Sequence, residues 1–200
     1  MLTGVGGEGT LTTQVMIARA ANIEGYYVRG VQLHGLAQRG GVMPSFVRFG
    51  SEKELSSPAT MQANANLILA FEPLEAVRAI YYARKEKTIF AINDYPLVPV
   101  YANISNTPYP IMSEIIKRIM PFAKVIHIFS ASRLSKEKLR NTIFGNIILV
   151  GAVSGMGLLP LKEDSLREAI KVTVPIEMEN NFKAFELGLR LGRERIVSKG

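Results

Sequence analysis

The order of short apolar runs and helical segments constrains this chain more than any single motif. "NLILAFE", "TIFAIND" and "KVIHIFSA" are runs of strand length with almost no polar interruption, the pattern of strands buried on both faces. "YYVRGVQL" and "VMPSFVRFG" are rich in β-branched and aromatic residues and also read as strands, with Pro44 placing its end of the second at an edge or a bulge. Met1–Thr3 is the stub of a first strand, and a helix follows it to about Asn22. Met112, Ile115, Ile116 and Ile119 mark another helix, whose far face carries Glu114, Lys117 and Arg118. The chain then becomes mostly helical over about 162–196. There Met178, Phe182, Phe185 and Leu189 form a stripe that reads as core or subunit interface.

Strands alternating with helices predict a three-layer, Rossmann-like α/β domain with a largely parallel or mixed central sheet and a helical C-terminal region. One domain spanning residues 1–200 accommodates the whole sequence. Ligands of such sheets gather at the carboxyl ends of the strands. Three segments fall there: the glycine stretch after the first strand, "HGLAQRGG" after the second, and "FEPLEA" after "NLILA". In the last, Pro73 suits a first helical turn, where its missing amide costs nothing.

The glycine stretch "TGVGGEGTLTTQVMIARAA" contains G-x-G-x-x-G from Gly4 to Gly9, with Gly7 inside it. Glycines let a backbone approach an anion and turn sharply into a helix whose first amides are unpaired. Gly4, Gly6, Gly7, Gly9 and Thr10 are therefore candidates for holding a phosphate, the equal alternative being a structural strand-to-helix turn. A dinucleotide site would need an acid at the end of the second strand, which instead ends Gln32–Leu33–His34–Gly35. Glu24 precedes that strand and belongs at the other end of the sheet. Glu8, at the helix start, suits the helix dipole but repels a phosphate.

Composition narrows the chemistry further. There is no cysteine, which removes disulfides, thiolate metal sites and a cysteine-ligated cluster held by this chain alone. His34 and His127 are the only histidines and show no metal-ligand spacing. His127, inside "KVIHIF", reads as a core histidine. The net charge of +7 is spread among acids on helical stretches such as "RLSKEKLR", without a nucleic-acid motif, so nucleic acid is not an expected partner. Residues 141–161 carry no charge and are long enough to cross a bilayer. Their asparagines, glycines and proline fit a buried helix and glycine-rich loop better. No secretory-type leader is evident either, and a cytoplasmic protein is expected.

In "HGLAQRGG", Gly40 and Gly41 permit close backbone approach, Arg39 offers a planar fork to a carboxylate or phosphate, and His34 and Gln38 add neutral polar groups. A solvated Gly-Gly turn is the plain alternative. Glu72, at the end of a buried strand, either approaches a ligand or stabilises the start of the following helix. No residue stands out as a catalyst. From the residues alone, a stand-alone nucleotide-dependent enzyme and a non-enzymatic binding module stay open.

Taken together, "GVGGEGTLT", "HGLAQRGG", "FEPLEA" and "ENNFKAFELG" resemble the small, gamma-type subunits of the 2-oxoacid:ferredoxin oxidoreductase family, and within it the indolepyruvate branch. The resemblance spans nearly the whole chain. It implies a hetero-oligomer in which a large alpha subunit holds thiamine diphosphate, Mg2+ and iron–sulfur clusters, and in which coenzyme A and ferredoxin take part. No cofactor is then expected on this chain alone. The resemblance also implies that the glycine loop receives a phosphate of coenzyme A or is structural, and that the loop with His34, Gln38, Arg39, Gly40 and Gly41 reaches the large subunit near the reacting cofactor. Two departures stand against the family pattern: a first strand of three residues where a longer one is usual, and Glu8 where glutamine is common.

Overall fold

The computed structural model describes residues 1–33, 41–98 and 108–197. Six strands form one mixed sheet: β1 (Leu2–Thr3), β2 (Tyr27–Gln32), β3 (Ser45–Gly50), β4 (Leu67–Ala70), β5 (Ile89–Asn93) and β6 (Val125–Phe129). They lie in the order β2-β3-β1-β4-β5-β6. β1, β4, β5 and β6 run parallel, while β3 is antiparallel to both of its neighbours. The expected sheet is thus mixed, because "VMPSFVRFG" returns as a partner of β2 before the parallel crossovers begin. Pro44 lies just ahead of β3, which is an internal strand and not an edge. Its carbonyl accepts from the Leu33 amide at 2.9 Å, but it has no N–H to return, so pairing with β2 stops there.

Alternation along the central strands sorts the two layers of helices. Ile68, Ala70, Phe90 and Ile92 point to one face, where they meet α2 (Pro73–Arg78) and α3 (Met112–Ile119). Leu2, Leu69, Ala91 and Phe129 point to the other. That face is covered by α1 (Thr10–Ile23), α4 (Ala131–Leu139), α5 (Gly145–Gly155), α6 (Glu163–Thr173) and α7 (Met178–Val197). Ile115 and Ile119 are the fully buried members of the α3 stripe. In α7, Phe185 and Leu189 are fully buried and Phe182 packs partly buried against the same core, whereas Met178 at the start of the expected stripe is exposed.

Nine of the eleven residues of α5 are buried, which accounts for the uncharged stretch 141–161: protein, not lipid, surrounds it. Among the described residues no helix is long and apolar enough to cross a membrane. α7 lies against α5 at backbone distance. A Cβ on Gly151 would stand 2.5 Å from the Phe185 carbonyl oxygen, and one on Gly188 would collide with the Ile148 carbonyl. Only glycine allows that approach.

Candidate functional site at the carboxyl end of the sheet

β2 runs parallel to β1 across the antiparallel β3, so Thr3, Gln32, Ala70, Asn93 and Phe129 all end at the same side of the molecule. The glycine loop and "FEPLEA" therefore converge there, as expected for an α/β sheet. His34, Gln38, Arg39 and Gly40 lie outside the described residues. Their flanks, Leu33 and Gly41, are at this end, and the Gly41 carbonyl accepts from the Gly6 amide at 2.8 Å. Glu24 is at the opposite end, where its carboxylate accepts from the Lys162 amide at 2.6 Å.

The glycine loop is an extension of β1 that closes on itself. Met43 donates to the Gly4 carbonyl at 2.9 Å, and Val5 bridges Val42. The Glu8 amide donates to the Val5 carbonyl at 3.1 Å, while the Glu8 Oε2 accepts from the Val5 amide at 2.6 Å. Glu8 thus folds back into the loop instead of reaching out from the helix start. Gly7 and Gly9 have φ of 109° and 79°, conformations that favour glycine, and Gly9 leads into α1 without a side-chain cap. A Cβ on Gly9 would sit 2.5 Å from Asn146 Nδ2, a second reason for glycine there. Thr10 is buried, and its hydroxyl accepts from Gln32 Nε2 at 3.3 Å.

Burial, reinforced by the charges of Glu72 and Glu75 and opposed by the Val5 hydrogen bond, pushes the Glu8 carboxyl up to about 7. Glu75 is also raised, mainly by burial, although the Arg78 guanidinium paired with it pulls the other way. Its Oε2 is buried without a hydrogen-bond partner.

Glu72 is 1 % exposed and is spent on structure. Its Oε2 accepts from the Glu75 amide at 3.0 Å and so caps α2, with Pro73 in the first turn. Its Oε1 accepts from the Leu97 amide at 3.3 Å and from the Tyr109 hydroxyl, which in turn accepts from the Leu74 amide at 3.2 Å. Burial and that carboxylate push the Tyr109 hydroxyl above the usual phenol range. Of the two roles open to Glu72 from sequence, helix-start stabilisation is the one its geometry fits. One carboxylate also fastens the stretches around Leu97 and Tyr109 to the end of β4.

A cavity of about 320 Å3 opens beside the glycine loop, bounded by Gly6, Gly7, Glu8, Phe71, Asn93, Tyr95 and Asn146 among others. Asn93 and Asn146 were not singled out from sequence. Asn93 Nδ2 donates to the Phe71 carbonyl and to Ser132 Oγ, both at 2.9 Å, and its Oδ1 accepts from the Ser132 amide at 3.1 Å. Asn146 Nδ2 donates to Thr13 Oγ1 at 3.1 Å. An asparagine closing the apolar run "TIFAIND" was a usable signal for Asn93. Nothing in the order of residues links Asn146 to Gly9. His127 is buried in the sheet, as expected. Among the described residues no cluster of three or more histidine, aspartate or glutamate side chains could hold a metal ion.

Residues 1–191 match the family described as pyruvate ferredoxin/flavodoxin oxidoreductase. The chain belongs to this family. It is 35 % identical over 98 % of its length to the indolepyruvate oxidoreductase subunit IorB of Thermococcus kodakarensis, covering 96 % of that protein. It is 36 % identical, with the same shares covered, to the protein of that name from Pyrococcus horikoshii. Its fold matches part of the 2-oxoglutarate:ferredoxin oxidoreductase of Magnetococcus marinus with a TM-score of 0.70 at 21 % identity, over 96 % of this chain and 30 % of that one.

Membership of the oxidoreductase family bears on what this polypeptide can hold. Without a cysteine it has no thiolate for an iron–sulfur cluster. The cavity beside the glycine loop lies at the small end of the range for ligand clefts, about 300–1,000 Å3.

Proposed function

We propose that this chain is the small subunit of an arylpyruvate ferredoxin oxidoreductase, with indolepyruvate as the substrate class. In the assembled enzyme indolepyruvate loses CO2, its acyl carbon is oxidised and joined to coenzyme A as indoleacetyl-CoA, and the two electrons released pass to ferredoxin. A large alpha subunit supplies thiamine diphosphate with Mg2+ and the iron–sulfur clusters. This chain supplies the carboxyl end of its sheet, which completes the site and borders the path of coenzyme A. The observation that carries the reading is similarity along almost the full length of both chains to proteins named as indolepyruvate oxidoreductase subunits. The absence of cysteine in the chain fits that division of labour.

The glycine loop, Gly4 to Thr10, and the cavity beside it are the proposed point of contact with coenzyme A. Arg39, with His34, Gln38, Gly40 and Gly41, is proposed to face the large subunit or an anion at the same end. Glu72 acts in this reading by holding the cavity wall near Leu97. The test is co-expression with a large thiamine-binding, cluster-binding subunit, followed by coenzyme A-dependent dye reduction with indolepyruvate, pyruvate and 2-oxoglutarate. Activity should need both chains and should favour the arylpyruvate. Turnover by this chain alone, or a clear preference for pyruvate, would overturn the reading.

A further inference from the structure

The glycine loop is already occupied by a side chain of its own. Glu8 Oε2 sits on the Val5 amide at 2.6 Å, and the space it takes is the space that a Cβ on Gly4 would fill, 2.8 Å from that oxygen. Gly4 thus makes room for a carboxyl group. Three loop amides, those of Val5, Gly6 and Glu8, are spent on Glu8, the Gly41 carbonyl and the Val5 carbonyl. A ligand phosphate brought to the cavity therefore finds those three amides taken and lies against the Glu8 carboxyl, which lines that cavity.

We propose that Glu8 is the specificity-setting residue of this loop: its carboxyl fills the anion position, and an anionic ligand group enters the adjoining cavity only beside the neutral, protonated form. The proposal rests on coenzyme A being the ligand brought to this end, as argued above. The surroundings favour such an arrangement. Glu72 and Glu75 face Glu8 from the end of β4 and the start of α2. Arg78 is paired with Glu75, and the Tyr109 hydroxyl is held by Glu72. Among the described residues no cation pairs with Glu8. Its proton is held up to about pH 7, so the change of state falls inside the working range of an enzyme.

Binding that requires a proton takes one up from solution. The test uses the assembled two-subunit enzyme. Coenzyme A binding is followed by titration calorimetry from pH 6 to 8.5 in buffers of differing ionisation enthalpy, for the wild type and Glu8→Gln. The wild-type dissociation constant should rise about tenfold for each pH unit above 7, with proton uptake approaching one per site. Glu8→Gln should lose that slope and that uptake. Equal slopes and equal uptake in the two proteins would sink the proposal, as would a wild-type enzyme that binds coenzyme A with no uptake above pH 7. The second measurement needs no variant, so it decides even if Glu8→Gln fails to assemble. An enzyme that binds no coenzyme A at all fails the proposed function and takes this inference with it, whereas binding without proton linkage fails this inference alone.

Discussion

Glu8 links the glycine loop to the stability of the fold. Its carboxyl titrates at about 7 in the folded chain, against an ordinary 4.5, so the folded state holds the proton more tightly than the unfolded one. A group raised in this way contributes its full stability below about pH 4.5, and that contribution is lost as pH rises through about 7. Glu8→Gln, neutral throughout, should therefore melt progressively higher than the wild type between pH 4.5 and 7, with a constant gap above. Parallel melting curves for the two proteins across that window would show an ordinary carboxylate. The sequence made Glu8 visible as an acid at a helix start that would repel a phosphate. What it did not carry was the fold-back onto Val5, because that depends on the pairing of residues 4–6 with 41–43. Glu72 shows the same division. Its position at the end of an apolar run was plain, and its cap on α2 was one of two foreseen roles. The bond to Tyr109 required α3 to pack against α2.

At the scale of elements, α5 and α7 pack at backbone distance. Gly151 and Gly155 on one helix, and Gly188 and Gly192 on the other, lie where a Cβ would enter the facing backbone. Backbones cannot give way as side chains do, so Gly188→Ala forces the helices apart. Its expected cost is about 1–3 kcal/mol or more, read from denaturant midpoints. Gly157→Ala is the control. That glycine has a φ of 69° and open space where a Cβ would stand, leaving only backbone strain of about 1–2 kcal/mol. A smaller loss at Gly188 than at Gly157 would contradict the close packing. The G-x-x-x-G spacing of both pairs stood in the sequence, yet spacing alone does not say which helices meet. β4, β5 and β6 were legible as short apolar runs and β2 and β3 by their β-branched and aromatic residues, and both the α3 stripe and the buried nature of α5 followed from periodicity and charge. The direction of β3 was not legible, since apolar alternation is the same for parallel and antiparallel strands.

At the scale of the whole molecule, the glycine loop and the start of α2 meet at one end of the sheet, and the proposed function puts the reactive centres in another polypeptide. Purified alone, the chain should contain no iron, show no visible absorption band and hold no thiamine diphosphate, whereas the assembled complex should contain all three signatures. Metal analysis and an absorption spectrum of each preparation check this. Iron bound stoichiometrically to the isolated chain would mean that ligands other than thiolates had been overlooked.

By itself the sequence determined the α/β class, the approximate places of the strands and of the first helix, the exclusion of thiolate chemistry and the resemblance that pointed to the family. These follow from local pattern and composition, which each segment carries alone. Only the tertiary structure decided that Glu8 occupies its own glycine loop, that Glu72 ties α2 to the stretches around Leu97 and Tyr109, that Asn146 reaches Gly9, and that β3 runs against its neighbours. Each of those depends on contacts between segments far apart in the chain, set by how the helices and strands pack and not by the order of residues within any one of them.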